Sequence, residues 1–145
     1  MKKILSLILL IIWIIIIFLL SNQSGSVSTN ESDIIVNSIN NILNINEHLL
    51  VIIVRKLAHI IEYFILYLFT YNCFKEYGIK YKYASIIFCI FCGLIDEVHQ
   101  LFINGRSGQI IDVFVDLVGI IIGYIIIEVI YGKKKEIKEN SSSQA

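Results

Sequence analysis

The sequence predicts an all-α, polytopic membrane protein: a four-transmembrane-helix bundle with its N- and C-termini both on the cytoplasmic side. Three observations predict it. Apolar residues make up 57% of the 145, and mean hydropathy is +0.76, more than a soluble core of this size could hide. These residues gather in four runs, each long enough to cross a bilayer. Lysines flank the runs on one side of a four-span arrangement. The length suits one domain, residues 1–132, followed by a polar tail over 133–145.

The first run, Ile4 to Leu20, follows Lys2 and Lys3 and is near the lower length limit for a span. The stretch Ser21-Asn22-Gln23-Ser24-Gly25-Ser26 offers no Ala-x-Ala cleavage pattern, so the run reads as an uncleaved anchor. Residues 21–47 are rich in Ser and Asn, contain no Lys or Arg, and predict a loop. Within it Ile34, Ile35, Ile39, Ile42 and Leu43 recur at helical intervals, which predicts a short amphipathic surface helix over 33–43; a loosely ordered linker is the alternative. The remaining spans are expected over about 49–74, 83–103 and 110–131. Lys2 and Lys3, then Lys75, Lys80 and Lys82, then Lys133, Lys134, Lys135 and Lys138 share one side, which the positive-inside rule makes cytoplasmic. Arg55, Lys56 and Arg106 fall at the outer side, against the trend.

Twelve basic and twelve acidic residues leave no net charge, so no global field attracts nucleic acid and no nucleic-acid partner is expected. Cys73, Cys89 and Cys92 lie in or beside apolar runs. Cys89-x-x-Cys92 has the spacing of a redox motif but no βαβ context, so these thiols read as small packing residues.

The chemistry lies in a polar constellation at the outer side. Span two brings Arg55, Lys56, His59 and Glu62, with positions 55, 59 and 62 on one helical face. Span three ends on Asp96, Glu97, His99 and Gln100. Span four carries Asp112 and Asp116 on one stripe with Gly119 and Gly123, a small-x-x-x-small pattern that permits close helix contact and turns that stripe inward. Arg55, Lys56 and Arg106 oppose Glu62, Asp96, Glu97, Asp112 and Asp116, an excess of two negatives. Protonated His59 and His99, neutral carboxylic acids or a bound cation would each balance it. Ion pairs that only tie helices together are the bland reading of such residues, but a cluster this large reads as a functional site.

His59-x-x-Glu62 and Asp96-x-x-His99 have a spacing used by metal sites in helical bundles. Basic neighbours disfavour a cation there, so no cofactor is expected, with a divalent metal as the alternative. Without metal, His59 or His99 serves as general acid or base, oriented by Glu62 or Asp96, while Arg55 and Arg106 clamp an anionic headgroup. The candidate catalytic residues are therefore His59, Glu62, Asp96, His99, Asp112 and Asp116. The candidate substrate-binding residues are Arg55, Lys56, Glu97, Gln100 and Arg106. Ser107, between Gly105 and Gly108, reads as a turn residue rather than a nucleophile. Tyr63, Tyr67 and Tyr71 form a packing or membrane-facing stripe, and Trp13 is assigned no function.

Arg55-Lys56-x-x-His59-x-x-Glu62-Tyr63, Asp96-Glu97-x-His99-Gln100-x-Phe102, and Arg106 with Asp112, Asp116 and Gly119 resemble the VanZ-like family of small bacterial multi-span membrane proteins. Ser21-x-Gln23 resembles the family pattern more weakly, and Asn104 stands where the family often has proline. The resemblance covers most of the chain. It implies a multi-pass protein of the bacterial cell membrane, in a family whose namesake is linked to glycopeptide antibiotic resistance. The expected function is binding or modification of an anionic cell-envelope component at the outer leaflet, such as a lipid-linked cell-wall precursor. A proton- or ion-coupled carrier and a non-enzymatic membrane scaffold are the alternatives.

Overall fold

The computed structural model describes residues 1–23, 36, 46–79, 81–105 and 109–142, with the side chains of His48 and of 131–142 left out. Four long helices account for nearly all of them: α1 (Lys2–Ser21), α2 (Glu47–Tyr77), α3 (Tyr81–Gln100) and α4 (Ile110–Ser142). Among the described residues there is no strand. The predicted surface helix over 33–43 falls almost wholly outside them.

The helices begin and end where their sequences change character. A glycine at positive φ, Gly78, stops α2; its N–H donates to the Lys75 carbonyl at 3.1 Å and the Ile79 N–H to the Phe74 carbonyl at 3.0 Å. This paired pattern satisfies carbonyls that the helix end would otherwise orphan, and it needs a residue without Cβ strain. Helix α3 gives way to a turn at Leu101, and Gly105 has a φ of 76°, a conformation that glycine adopts without strain. Beyond the expected span, α4 runs on to Ser142, into the stretch read from composition as a polar tail. After Gly132 the sequence is mostly Lys and Glu, both good helix formers, with no proline to stop the ladder.

Contacts between helix ends fix the direction of each one. Lys3 Nζ lies 5.7 Å from the Tyr77 ring centre, so α1 begins where α2 ends. Lys82 Nζ reaches both carboxylate oxygens of Glu128, at 2.7 and 2.8 Å, joining the start of α3 to the later half of α4. That hydrogen bond holds the Lys82 ammonium above its usual range. At the other end, Phe18 stacks on His99 at 4.7 Å. Lys3, Lys75 and Lys82 thus share one end, and the polar constellation occupies the other.

The core runs along α2. Tyr63, Leu66, Tyr67 and Tyr71 are almost wholly buried, with Cys89 of α3 and Ile120 of α4 against them. The tyrosine stripe therefore faces the interior rather than the surroundings. The three cysteines are free thiols, and Cys89 donates to Thr70 Oγ1 at 3.7 Å. Helices α2 and α4 make the most extensive contact, at Gly119 and Gly123. A Cβ on Gly119 would overlap the Ile60 carbonyl oxygen, and one on Gly123 would sit 2.8 Å from Tyr67 Cδ1. Trp13 has a structural role: its Nε1–H donates to the Glu62 carbonyl at 3.0 Å and its ring meets Phe69 edge-on. Trp13→Phe keeps an aromatic side chain but loses that bond. It is expected to lower stability in detergent by about 0.5–1.5 kcal/mol, read from thermal unfolding.

The outward faces are apolar. Ile4, Ile8, Ile11, Ile15 and Phe18 of α1, Ile87, Phe91 and Leu94 of α3, and Phe114, Ile121 and Ile125 of α4 are exposed. Helix α1 and the Ile110–Ile130 part of α4 are long and apolar enough to cross a membrane. Helices α2 and α3 interrupt their apolar runs with the polar residues of the constellation.

Candidate functional site

Most of the predicted site residues meet where the start of α2, the end of α3 and the start of α4 converge. Lys56 Nζ binds Asp112 Oδ1 at 2.6 Å, and one turn further along both helices the His59 Nδ1–H donates to Asp116 Oδ1 at 3.1 Å. The two pairs form because positions 56 and 59–60 of α2, and 112 and 116 of α4, recur at helical spacing on facing surfaces. The close approach at Gly119 brings those surfaces together.

Helix α3 contributes two carboxylates of different fate. Glu97 Oε2 accepts the Gln109 backbone N–H at 2.7 Å, which ties the end of α3 to the entry of α4. Asp96 Oδ2 accepts from Gln100 Nε2 at 2.8 Å, one turn away on the same helix. One ligating atom each from His59, Glu97 and Asp116 lies within 4.8 Å of the others. Glu97 and Asp116 are only 5% and 1% exposed, and Glu97 Oε1 and Asp116 Oδ2 have no partner among the described residues.

Above this cluster lies a pocket of about 210 Å³ lined by Ile52, Arg55, Lys56, His59, Gln100, Gly105, Gln109 and Asp112. Arg55 enters it with no ion pair among the described residues. On the other flank of α3, a mostly apolar groove of about 130 Å³ runs between α1, α2 and α3, with Ile14, Ile17, Phe18, Leu66, Cys92 and Ile95 in its walls. Asp96, His99 and Tyr63 also border this groove, and the Asp96–Gln100 hydrogen bond stands between groove and pocket.

The constellation therefore divides. Arg55, Lys56, His59, Glu97, Gln100, Asp112 and Asp116 form or line the polar pocket and its floor, whereas His99 turns toward Phe18 and its Nε2 has no partner among the described residues. Asp96 borders the groove. Glu62 is half-buried, outside the set of three converging donors, and offers its backbone carbonyl to Trp13. Arg106 and Ser107 lie outside the described residues. Sequence reasoning missed Phe18 and Gln109: an isolated Phe in an apolar run and the backbone N–H of a loop residue carry no chemical signature. It also missed Glu128, which only the antiparallel register of α3 and α4 brings to Lys82.

Four long helices with apolar outer faces, two of them long and apolar enough to cross a membrane, meet around a charged pocket at one end, the character of a membrane protein. The VanZ/LLP1 family model matches residues 6–131, so this chain belongs to the VanZ/LLP1 family. Among the curated proteins and the solved structures compared with it, nothing matches.

Proposed function

We propose that this protein spans the bacterial cell membrane four times, with both termini in the cytoplasm, and binds or modifies an anionic, lipid-linked cell-envelope component at the outer leaflet. The observation that carries the reading is the pocket: Arg55 and Lys56 enter it beside His59, at the end of the bundle away from Lys3, Lys75 and Lys82. Positive residues on the outer side oppose the usual charge bias, and an anionic ligand gives them a purpose. The apolar groove beside the pocket supports a ligand with a hydrocarbon chain, because an apolar cleft in a membrane protein exchanges one hydrocarbon contact for another at little cost.

In this reading Arg55 and Lys56 hold the headgroup, with Arg106 expected to join them from the α3–α4 loop. Gln100 and Gln109 supply neutral hydrogen-bonding groups at the rim, and His59 lines the pocket beside them. Helices α2 and α3 cross with their charged residues turned inward and their apolar faces outward.

Two experiments test it. Single cysteines at Asn104 and at Glu76, in a background lacking the native three, are expected to label with impermeant reagent from outside and only after permeabilisation, respectively; the reverse pattern overturns the orientation. Lipid extracted with the purified protein is expected to be enriched in anionic species, and Arg55→Ala is expected to lose that enrichment. Unchanged lipid composition overturns the headgroup site. The Lys56–Asp112 pair favours a second reading, a scaffold whose charges only join helices. A Lys56→Asp, Asp112→Lys exchange that restores both stability and cellular activity would select it.

A further inference from the structure

The geometry points to a divalent transition-metal site formed by His59, Glu97 and Asp116 beneath the pocket. Three different helices, α2, α3 and α4, each supply one donor, and the three ligating atoms lie within 4.8 Å of one another. Metal–ligand bonds of about 2.0–2.2 Å place neighbouring ligand atoms roughly 3.0–3.6 Å apart. The His59 Nδ1 to Asp116 Oδ1 separation of 3.1 Å already has this value. A modest inward movement of Glu97 completes the set.

An independent observation points to the same occupant. Among the described residues Glu97 Oε1 and Asp116 Oδ2 are buried and unpartnered, and an unpaired carboxylate oxygen away from water is costly. The neighbouring ammonium cannot serve them, because Lys56 is held by Asp112. Charge agrees: Arg55, Lys56 and Arg106 leave the five carboxylates of the constellation with an excess of two, and a divalent cation beside a neutral His59 removes it.

The donor set also selects the ion. One imidazole nitrogen and two carboxylates suit zinc, manganese or ferrous iron better than magnesium or calcium, which take oxygen ligands and, for magnesium, several waters. These are not the pairs that sequence spacing offered, since His99 stacks on Phe18 and Asp96 is engaged by Gln100. Three protein ligands leave a coordination position open, as in metal sites that bind a ligand. His59 lines the pocket, so a headgroup oxygen held there has access to that position; this last step alone rests on the headgroup reading.

The test uses the full chain, purified in detergent with a tag free of histidine, stripped with chelator and titrated with Zn²⁺ or Mn²⁺ alone. About one ion per chain is expected by elemental analysis and calorimetry. Glu97→Gln and Asp116→Asn, which keep shape and remove charge, are expected to weaken binding by more than about tenfold. No stoichiometric ion in the wild type, or unchanged affinity in both variants, overturns the site. Should either variant fail to fold, Co²⁺ added to the wild type decides: absorption of a four- or five-coordinate ion supports the site, and the spectrum of the hydrated ion overturns it. None of these readouts measures lipid, so a failed headgroup reading leaves their outcome intact.

Discussion

Gly119→Leu is expected to abolish the folded protein. The position lies where α4 crosses α2, and even a Cβ there would overlap the Ile60 carbonyl oxygen and stand 3.0 Å from the Phe64 nitrogen. Those are backbone atoms of a helix and cannot rotate aside as a side chain would. The two helices must move apart, and that movement pulls on the His59–Asp116 and Lys56–Asp112 pairs together. One surplus methylene in a packed core costs about 1–3 kcal/mol, so Gly119→Ala should lower stability by that amount, and the larger Leu should leave only aggregate on size exclusion in detergent. Ile121→Leu, on the exposed face of the same helix, should behave as wild type.

His59→Leu, measured in the presence of chelator, is the second large effect. Its imidazole is the group that meets Asp116, whose side chain is 2% exposed. Removing one partner of a buried pair costs about 3–5 kcal/mol, because the remaining charge has no water to return to. The double variant with Asp116→Leu removes both groups and should recover a substantial part of that loss, giving a coupling that thermal unfolding of the four proteins reports. A double variant destabilised by the sum of the two single losses would show that the two side chains do not interact.

The helices were legible because their apolar runs are long and their interruptions informative. Expected spans over 49–74 and 83–103 correspond to α2 at Glu47–Tyr77 and α3 at Tyr81–Gln100, and the start of the fourth at Ile110 coincides with α4. Its end did not: Lys and Glu read as solvated tail by hydropathy and as helix by backbone propensity, and propensity prevailed as far as Ser142. The Gly119 and Gly123 stripe announced a close, inward-facing contact, since small residues at that spacing allow backbones to approach, and α2 is the helix that meets it.

The site was legible as a set of residues and illegible as pairs. Helical spacing suggested that His59 and Glu62, or Asp96 and His99, act together because they share a helix. The structure instead pairs His59 with Asp116 across helices and turns His99 toward α1. Periodicity gives the face a residue occupies but not which neighbouring helix covers it, and that depends on how four helices pack. Arg106, which carried part of the anion-clamp expectation, lies outside the described residues.

The most direct test is equilibrium binding of a polyprenyl phosphate and of the matching uncharged polyprenol to the purified wild type and to Arg55→Ala. The account predicts that the wild type prefers the phosphate by about tenfold or more, the worth of one charge-assisted contact of about 1.4 kcal/mol or more, and that Arg55→Ala loses this preference. Equal affinity of the wild type for both lipids, or an undiminished preference in Arg55→Ala, would contradict it.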